Sequence, residues 1–221
     1  MSRLLVVGNF FFHVPWFEQV RVWSNSAGAP DAVVVTGNML GMFTPVKGER
    51  QERFLRTWIV NQNRPVFWSR GGWDYSAEEM RAWGLRNLHL AGTHELGGWR
   101  IEVMDSCGQG SPAVPSTLPT AVVSHYAPLG TKCGVGLDGV EAGSAQVRYD
   151  LEPLGNARVL MCGNVFDPLA PTDYAEGVFC CNPGVSYWEH RPQPAIALVD
   201  LDRRSVQVDS GRRSATFSFA K

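Results

Sequence analysis

Five short turns carry the side chains of this sequence that could do chemistry: Gly8-Asn9, Gly37-Asn38, Gly71-Gly72-Trp73-Asp74, Ser124-His125 and Gly163-Asn164-Val165-Phe166. They offer three amides, one imidazole, one carboxylate and one hydroxyl. Amides hydrogen-bond readily, but a hard divalent cation wants anionic oxygen, and Asp74 is the only carboxylate in the set. Strong anion binding wants guanidinium or ammonium groups, and Arg70 is the only basic residue at these turns. Ser124 lies outside any G-x-S-x-G elbow, and no aspartate is placed by sequence to orient His125, which argues against a serine nucleophile. His125 reads as a hydrogen-bonded structural histidine. Asn9, Asn38 and Asn164 admit two readings: amides bonded to one another and to backbone in a closed core, or groups that present themselves to a ligand.

The remaining candidates are weaker. His13, His89, His94 and His190 are scattered, and His89 and His94 lack a third ligand nearby in sequence. Gly108 and Gly110 neither follow a strand nor open a helix, so they do not make a phosphate loop. Trp16, Trp73 and Trp188 sit in or just after turns, and one of the three is expected to be exposed and to make a contact. Phe10-Phe11-Phe12 reads as the end of a core strand, or as an apolar patch if a cleft opens beside it.

These turns are positioned by short apolar runs alternating with amphipathic segments: residues 4–7, 16–23, 32–36, 50–60 and 65–68. That order is the pattern of βαβ units and a parallel sheet covered by helices. In such a sheet the carboxyl ends of the strands share one edge, so the five turns are expected to converge there. Residues 77–83 form a further helix with Ser76 as N-cap and Glu78 and Glu79 in its first turn. Residues 87–90 and 99–104 are strand-like and parted by Gly97-Gly98, a hairpin signal. Two more buried strands, 120–124 and 158–162, are separated by a glycine-rich stretch, 126–146, too long to be kept without a use; 106–119 is similar. Residues 196–200 and 205–209 form a hairpin turning at 202–204, with 215–219 as a final strand. The expectation is one α/β domain over residues 1–221 whose sheet starts parallel and ends antiparallel.

Composition limits the partners. Twenty Lys and Arg against 21 Asp and Glu leave a formal charge of −1, with no run of like charge that would track a nucleic acid or an anionic membrane. The apolar run at residues 4–12 is too short to span a bilayer. Five cysteines without CxxC spacing, set among apolar residues at 162, 180 and 181, suit reduced, buried thiols in a cytoplasmic protein.

The turns, in their order, resemble the signature of the calcineurin-like metallophosphoesterases: D-x-H, G-D-x-x-D, G-N-H-D/E, a lone H, then G-H-x-H. The resemblance covers nearly the whole chain. It is strongest to the small bacterial and archaeal phosphodiesterases, whose N-P-G-S turn and A-L-x-D-L-D hairpin correspond to Asn182-Pro183-Gly184-Val185 and to residues 197–202. It implies a four-layer α/β/β/α sandwich with two mixed sheets. It also implies where metal ligands belong. The first motif's aspartate and histidine fall on Asn9 and Phe11, and the bridging aspartate on Asn38. The third motif's asparagine and general-acid histidine fall on Gly72 and Trp73, and the last motif's histidines on Asn164 and Phe166. Only His125 keeps ligand chemistry; Asp74 matches a residue that supports its motif without binding metal.

Two-metal hydrolysis needs ions roughly 3.5–4 Å apart held by carboxylates. With amides in place of aspartates, and rings expected to occupy the metal and phosphate space, the resemblance implies a degenerate member without metal or other cofactor. Its expected role is that of a non-enzymatic scaffold or adaptor binding another protein, as does the retromer subunit built on this fold. The alternatives are a phosphate or nucleotide binder using Asn9, Asn38, His125 and Asn164, or a weak phosphodiesterase using one metal on His125 with Asp74 or Asp167.

Overall fold

The computed structural model describes residues 2–25, 29–41, 48–105, 117–186, 193–209 and 214–219. Strand β1 (Arg3–Val7) leads into helix α1 (Val14–Ser24), then β2 (Ala32–Val35), α2 (Glu49–Asn61), β3 (Val66–Trp68), α3 (Ala77–Ala82) and β4 (Leu88–His89). A second run follows: β5 (Gly92–Leu96), β6 (Trp99–Val103), β7 (Thr120–Val123), α4 (Ala145–Leu151), β8 (Ala157–Met161), β9 (Thr172–Ala175) and β10 (Val178–Cys181). The chain ends with a small ribbon of β11 (Val185–Ser186) and β12 (Gln193–Pro194), then β13 (Ile196–Asp200), β14 (Ser205–Asp209) and β15 (Ser214–Ser218).

Two mixed sheets result. The first runs β15-β14-β13-β1-β2-β3-β4 and the second β5-β6-β7-β8-β10-β9. In the first, β1 to β4 are parallel and β13 returns antiparallel beside β1. In the second, β6, β7, β8 and β10 are parallel, with β5 and β9 antiparallel at the two edges.

Strand alternation sorts the side chains into layers. Leu4 and Val6 face Ile101, Val123 and Met161 across the space between the sheets, while Leu5 and Val7 pack under α1 and α2 against Phe17, Val20, Leu55 and Ile59. On the far side, Val122, Leu160 and Cys180 meet Val147 and Leu151 of α4. This is the expected four-layer arrangement. Helix α1 buries Trp16, Phe17, Val20 and Ser24, one stripe of a 3.6-residue period. Helix α3 opens with a capping box, Ser76 Oγ accepting from the Glu79 amide and Glu79 accepting from the Ser76 amide.

One expectation is corrected. Residues 87–90 do not join the hairpin at Gly97-Gly98; Leu88–His89 instead lies beside β3 in the first sheet. The hairpin partner of Trp99–Val103 is Gly92–Leu96, with Leu96 opposite Trp99. That strand reads GTHEL and is only half buried, so it carries no apolar run to announce it. Helix α4 and strands β9 and β10 also lie outside the elements expected from the sequence. The four described cysteines are free and buried, and burial pushes their thiols up, that of Cys180 to about 12. Among the described residues no helix is long and apolar enough to cross a membrane.

Candidate functional site

The five turns meet at the carboxyl ends of β1, β2, β3, β7 and β8, across both sheets. The turns after β1 and β2 are zipped by three backbone bonds: Asn9 N–H to Gly37 O (2.9 Å), Phe11 N–H to Asn38 O (3.0 Å) and Phe12 N–H to Met39 O (2.7 Å). The bend this requires puts Asn9 (φ 58°), Phe11 (46°), Phe12 (61°) and Asn38 (53°) in the left-handed region, where Asn164 (65°) in the turn after β8 also lies. Asparagine tolerates that region; for the two phenylalanines it costs about 1–2 kcal/mol each. Gly37 has no alternative. At φ 93° an added Cβ would come within 2.5 Å of the Gly71 nitrogen and 2.6 Å of His125 Nδ1.

Asp74 organises the edge. Its Oδ2 accepts from Asn38 N–H (3.0 Å), Gly71 N–H (2.9 Å) and the Trp68 indole (3.1 Å), and its Oδ1 from Met39 N–H (2.8 Å) and Leu40 N–H (3.3 Å). A buried carboxylate so surrounded is fully used as a scaffold. Asn182 does similar work for the last turn. Its amide donates to the carbonyls of Cys133, Gly163 and Val165 (3.1–3.2 Å), and its oxygen accepts from Gly184 N–H. Sequence reasoning gave Asn182 no such role; the N-P-G turn was the available signal.

His125 is buried, with Nδ1 2.6 Å from Thr36 O and Nε2 3.4 Å from Asn38 Nδ2. A carbonyl can only accept, so Nδ1 carries the proton and Nε2 accepts from the Asn38 amide. Burial lowers the pKa of His125, opposed by the Thr36 bond and by the Asp74 charge, and the ring is neutral. Asn38 Nδ2 also reaches Asn9 Oδ1 (3.4 Å), and Asn164 Nδ2 donates to Ala142 O (3.3 Å). Asn38 Oδ1 is buried and has no hydrogen-bond partner.

The structure thus brings Asn9, Asn38 and His125 into one buried network. The rings of Phe11 and Phe166 meet edge to face at 5.2 Å. Trp73 behaves otherwise: instead of filling the old ligand space it stands 45% exposed, and Gly72 faces open space. Trp16 is corrected from candidate contact residue to core residue, 3% exposed and packed on Phe10 and His13. Trp188 and His190 lie outside the described residues, as do residues 106–116 with Gly108 and Gly110.

Beside the network lies a cavity of about 350 Å³, bounded by Asn38, Trp73, Phe166, Asp167 and the segment from Gly136 to Ala142. That segment, part of the long glycine-rich stretch, is held by Leu137 N–H to Asp167 O (2.8 Å) and by Gly136 pairing with Pro168.

Solved structures with the same architecture exist at low identity. A dimetal phosphatase from Danio rerio matches with a TM-score of 0.65 at 9% identity, covering 99% of each chain. A protein from Thermus thermophilus matches at 0.60 and 13%, covering 98% of each chain. An archaeal phosphodiesterase matches at 0.58 and 12%, covering 98% of this chain and all of its own. The fold is that of the calcineurin-like phosphoesterases. No protein-family model and no curated protein sequence matches the chain.

The residues present do not fit the two-metal centre that the sequence resemblance implies. Asp74 is saturated by five N–H donors, His125 spends both nitrogens on Thr36 and Asn38, and the other positions hold amides, rings or glycine. Among the described residues no three His, Cys, Asp or Glu side chains converge as a ligand set. A metal-free phosphate site fares little better, because the Asn38 and Asn164 amides and the His125 imidazole are already engaged and, among the described residues, no Lys or Arg lines the cavity.

Proposed function

We propose that this chain works by binding another protein at its strand-end edge and does not hydrolyse phosphate esters by the two-metal route. One observation carries the reading. Asn9, Asn38 and His125, three of the positions where this fold's enzymes would hold metal, are closed on one another with the side-chain contacts given above. Phe11 and Phe166, at two further positions, pack together in place of imidazoles. Beside them the edge offers an exposed tryptophan and a cavity with an apolar rim, features suited to contact with a partner.

The test is elemental analysis of protein purified without chelator, run with a bis-p-nitrophenyl phosphate assay supplemented with manganese. The expected result is less than about one-tenth of an equivalent of metal and no turnover, against the two ions the hydrolytic route needs. Near-stoichiometric metal with manganese-dependent turnover would overturn the proposal.

A further inference from the structure

The cavity beside Asn38 has a definite chemical character. Its described walls carry two carboxylates, Asp138 and Asp167, and no basic residue. Its rim is apolar and open: Trp73 is 45%, Val140 59% and Leu137 66% exposed. Asn38, itself 4% exposed, contributes to the lining, although its unpartnered amide oxygen is turned against Gly71. The carboxylates and the apolar rim together ask for a group that donates hydrogen bonds, carries positive charge and has a flat or apolar surface for the indole. At about 350 Å³ the space is at the small end of ligand pockets, which run roughly 300–1,000 Å³, and takes one long side chain comfortably. A larger hollow of about 510 Å³ over β13 and β14 mixes Arg3 and Arg203 with Asp200 and Asp209, and so selects no ligand.

We infer that this cavity receives an arginine side chain presented by an exposed segment of a partner protein. The inference rests on the binding role proposed above and names the chemistry of its contact. Arginine fits better than lysine for physical reasons. Its planar guanidinium stacks on an indole face, pairs with carboxylates through two parallel N–H groups, and gives up its hydration more easily than an ammonium. Its methylene stem lies along Leu137 and Val140 while the head reaches the carboxylates. Trp73 is the anchor and Asp138 the charge partner.

The experiment titrates the full chain, already assayed for metal and turnover, with acetyl-Gly-Arg-Gly-amide, its lysine analogue and its citrulline analogue. Citrulline keeps the shape and loses the charge. Binding is read from the Trp73 indole N–H resonance, assigned with Trp73→Phe. The expected order is arginine tightest, lysine weaker, and citrulline at least about tenfold weaker than arginine. Asp138→Asn, an exposed change in a loop, is expected to weaken arginine binding several-fold, as is raising the salt to about 0.5 M. Equal binding of arginine and citrulline, or no response at Trp73 up to about 20 mM peptide, would overturn the inference. A metal-free, inactive chain that ignores arginine leaves the binding role intact with a different contact; a metal-loaded, active chain removes the role itself.

Discussion

Replacing Asp74 with asparagine probes the device on which the whole strand-end edge depends. The amide nitrogen of the new side chain must take the place of one carboxylate oxygen. At the Oδ1 position it confronts the Met39 and Leu40 N–H groups; at Oδ2 it confronts Asn38, Gly71 and the Trp68 indole. The cheaper choice forfeits two charge-assisted hydrogen bonds in a site only 3% exposed. At about 1.5–3 kcal/mol each the loss is about 3–6 kcal/mol, a large part of the roughly 5–15 kcal/mol typical of a folded domain. Equilibrium urea unfolding followed by tryptophan fluorescence reads it directly. With a slope of about 3 kcal/mol per molar, a loss of about 4 kcal/mol lowers the midpoint by about 1.3 M. A midpoint lowered by less than about 0.3 M at unchanged slope would refute the claim that Asp74 holds the edge together.

Three further outcomes are expected. His125 is neutral with a lowered pKa, so below about pH 6.5 the unfolded chain takes up a proton that the folded chain refuses. Its contribution is therefore complete above that pH and is lost as pH falls, approaching about 1.4 kcal/mol per pH unit, and His125→Gln should flatten this part of a urea-midpoint profile. Asn38→Asp places a carboxylate 3.4 Å from His125 Nε2 and should raise the pKa of the ring, seen as an upward shift of its titration in proton NMR. On β6 the buried pair Arg100–Glu102 (2.8 Å) should show the asymmetry of such pairs: Glu102→Ala costs about 3–5 kcal/mol by stranding the guanidinium, whereas Arg100→Met with Glu102→Leu costs much less by thermal unfolding.

Much of this was legible in the sequence because strands β1, β2, β3, β7 and β8 are short, apolar and closed by conspicuous turns. Their alternation with amphipathic segments implied an α/β sheet and the edge where the turns meet, and the family resemblance implied the two sheets. What stayed hidden depends on partners far along the chain. Strand β5 has no apolar alternation of its own and exists because Trp99–Val103 pairs with it. Helix α4 is only seven residues long, and its buried positions, Val147 and Leu151, give too little periodicity to stand out from a glycine-rich stretch. The cavity wall at residues 136–142 is shaped by Asp167 and Pro168, which lie well beyond it in the chain. The exchange of amides and rings for metal ligands could be read position by position, but not how each substitute would behave. Phe11 and Phe166 close on each other, whereas Trp73 swings out to the rim.

The left-handed asparagines carry one more implication. Aspartate and asparagine accept the same bend at Asn9 and Asn38, so changing the acid to its amide leaves the path of the backbone untouched and removes only charge. Carboxylates in those two places, beside Asp74, would crowd like charges onto one edge, and that edge could close only around bound cations. With amides it closes unaided. On the binding role proposed above, the edge needs no metal to take its shape, and its contact surface stands ready as soon as folding ends, with no loading step for a cell to supply or withhold.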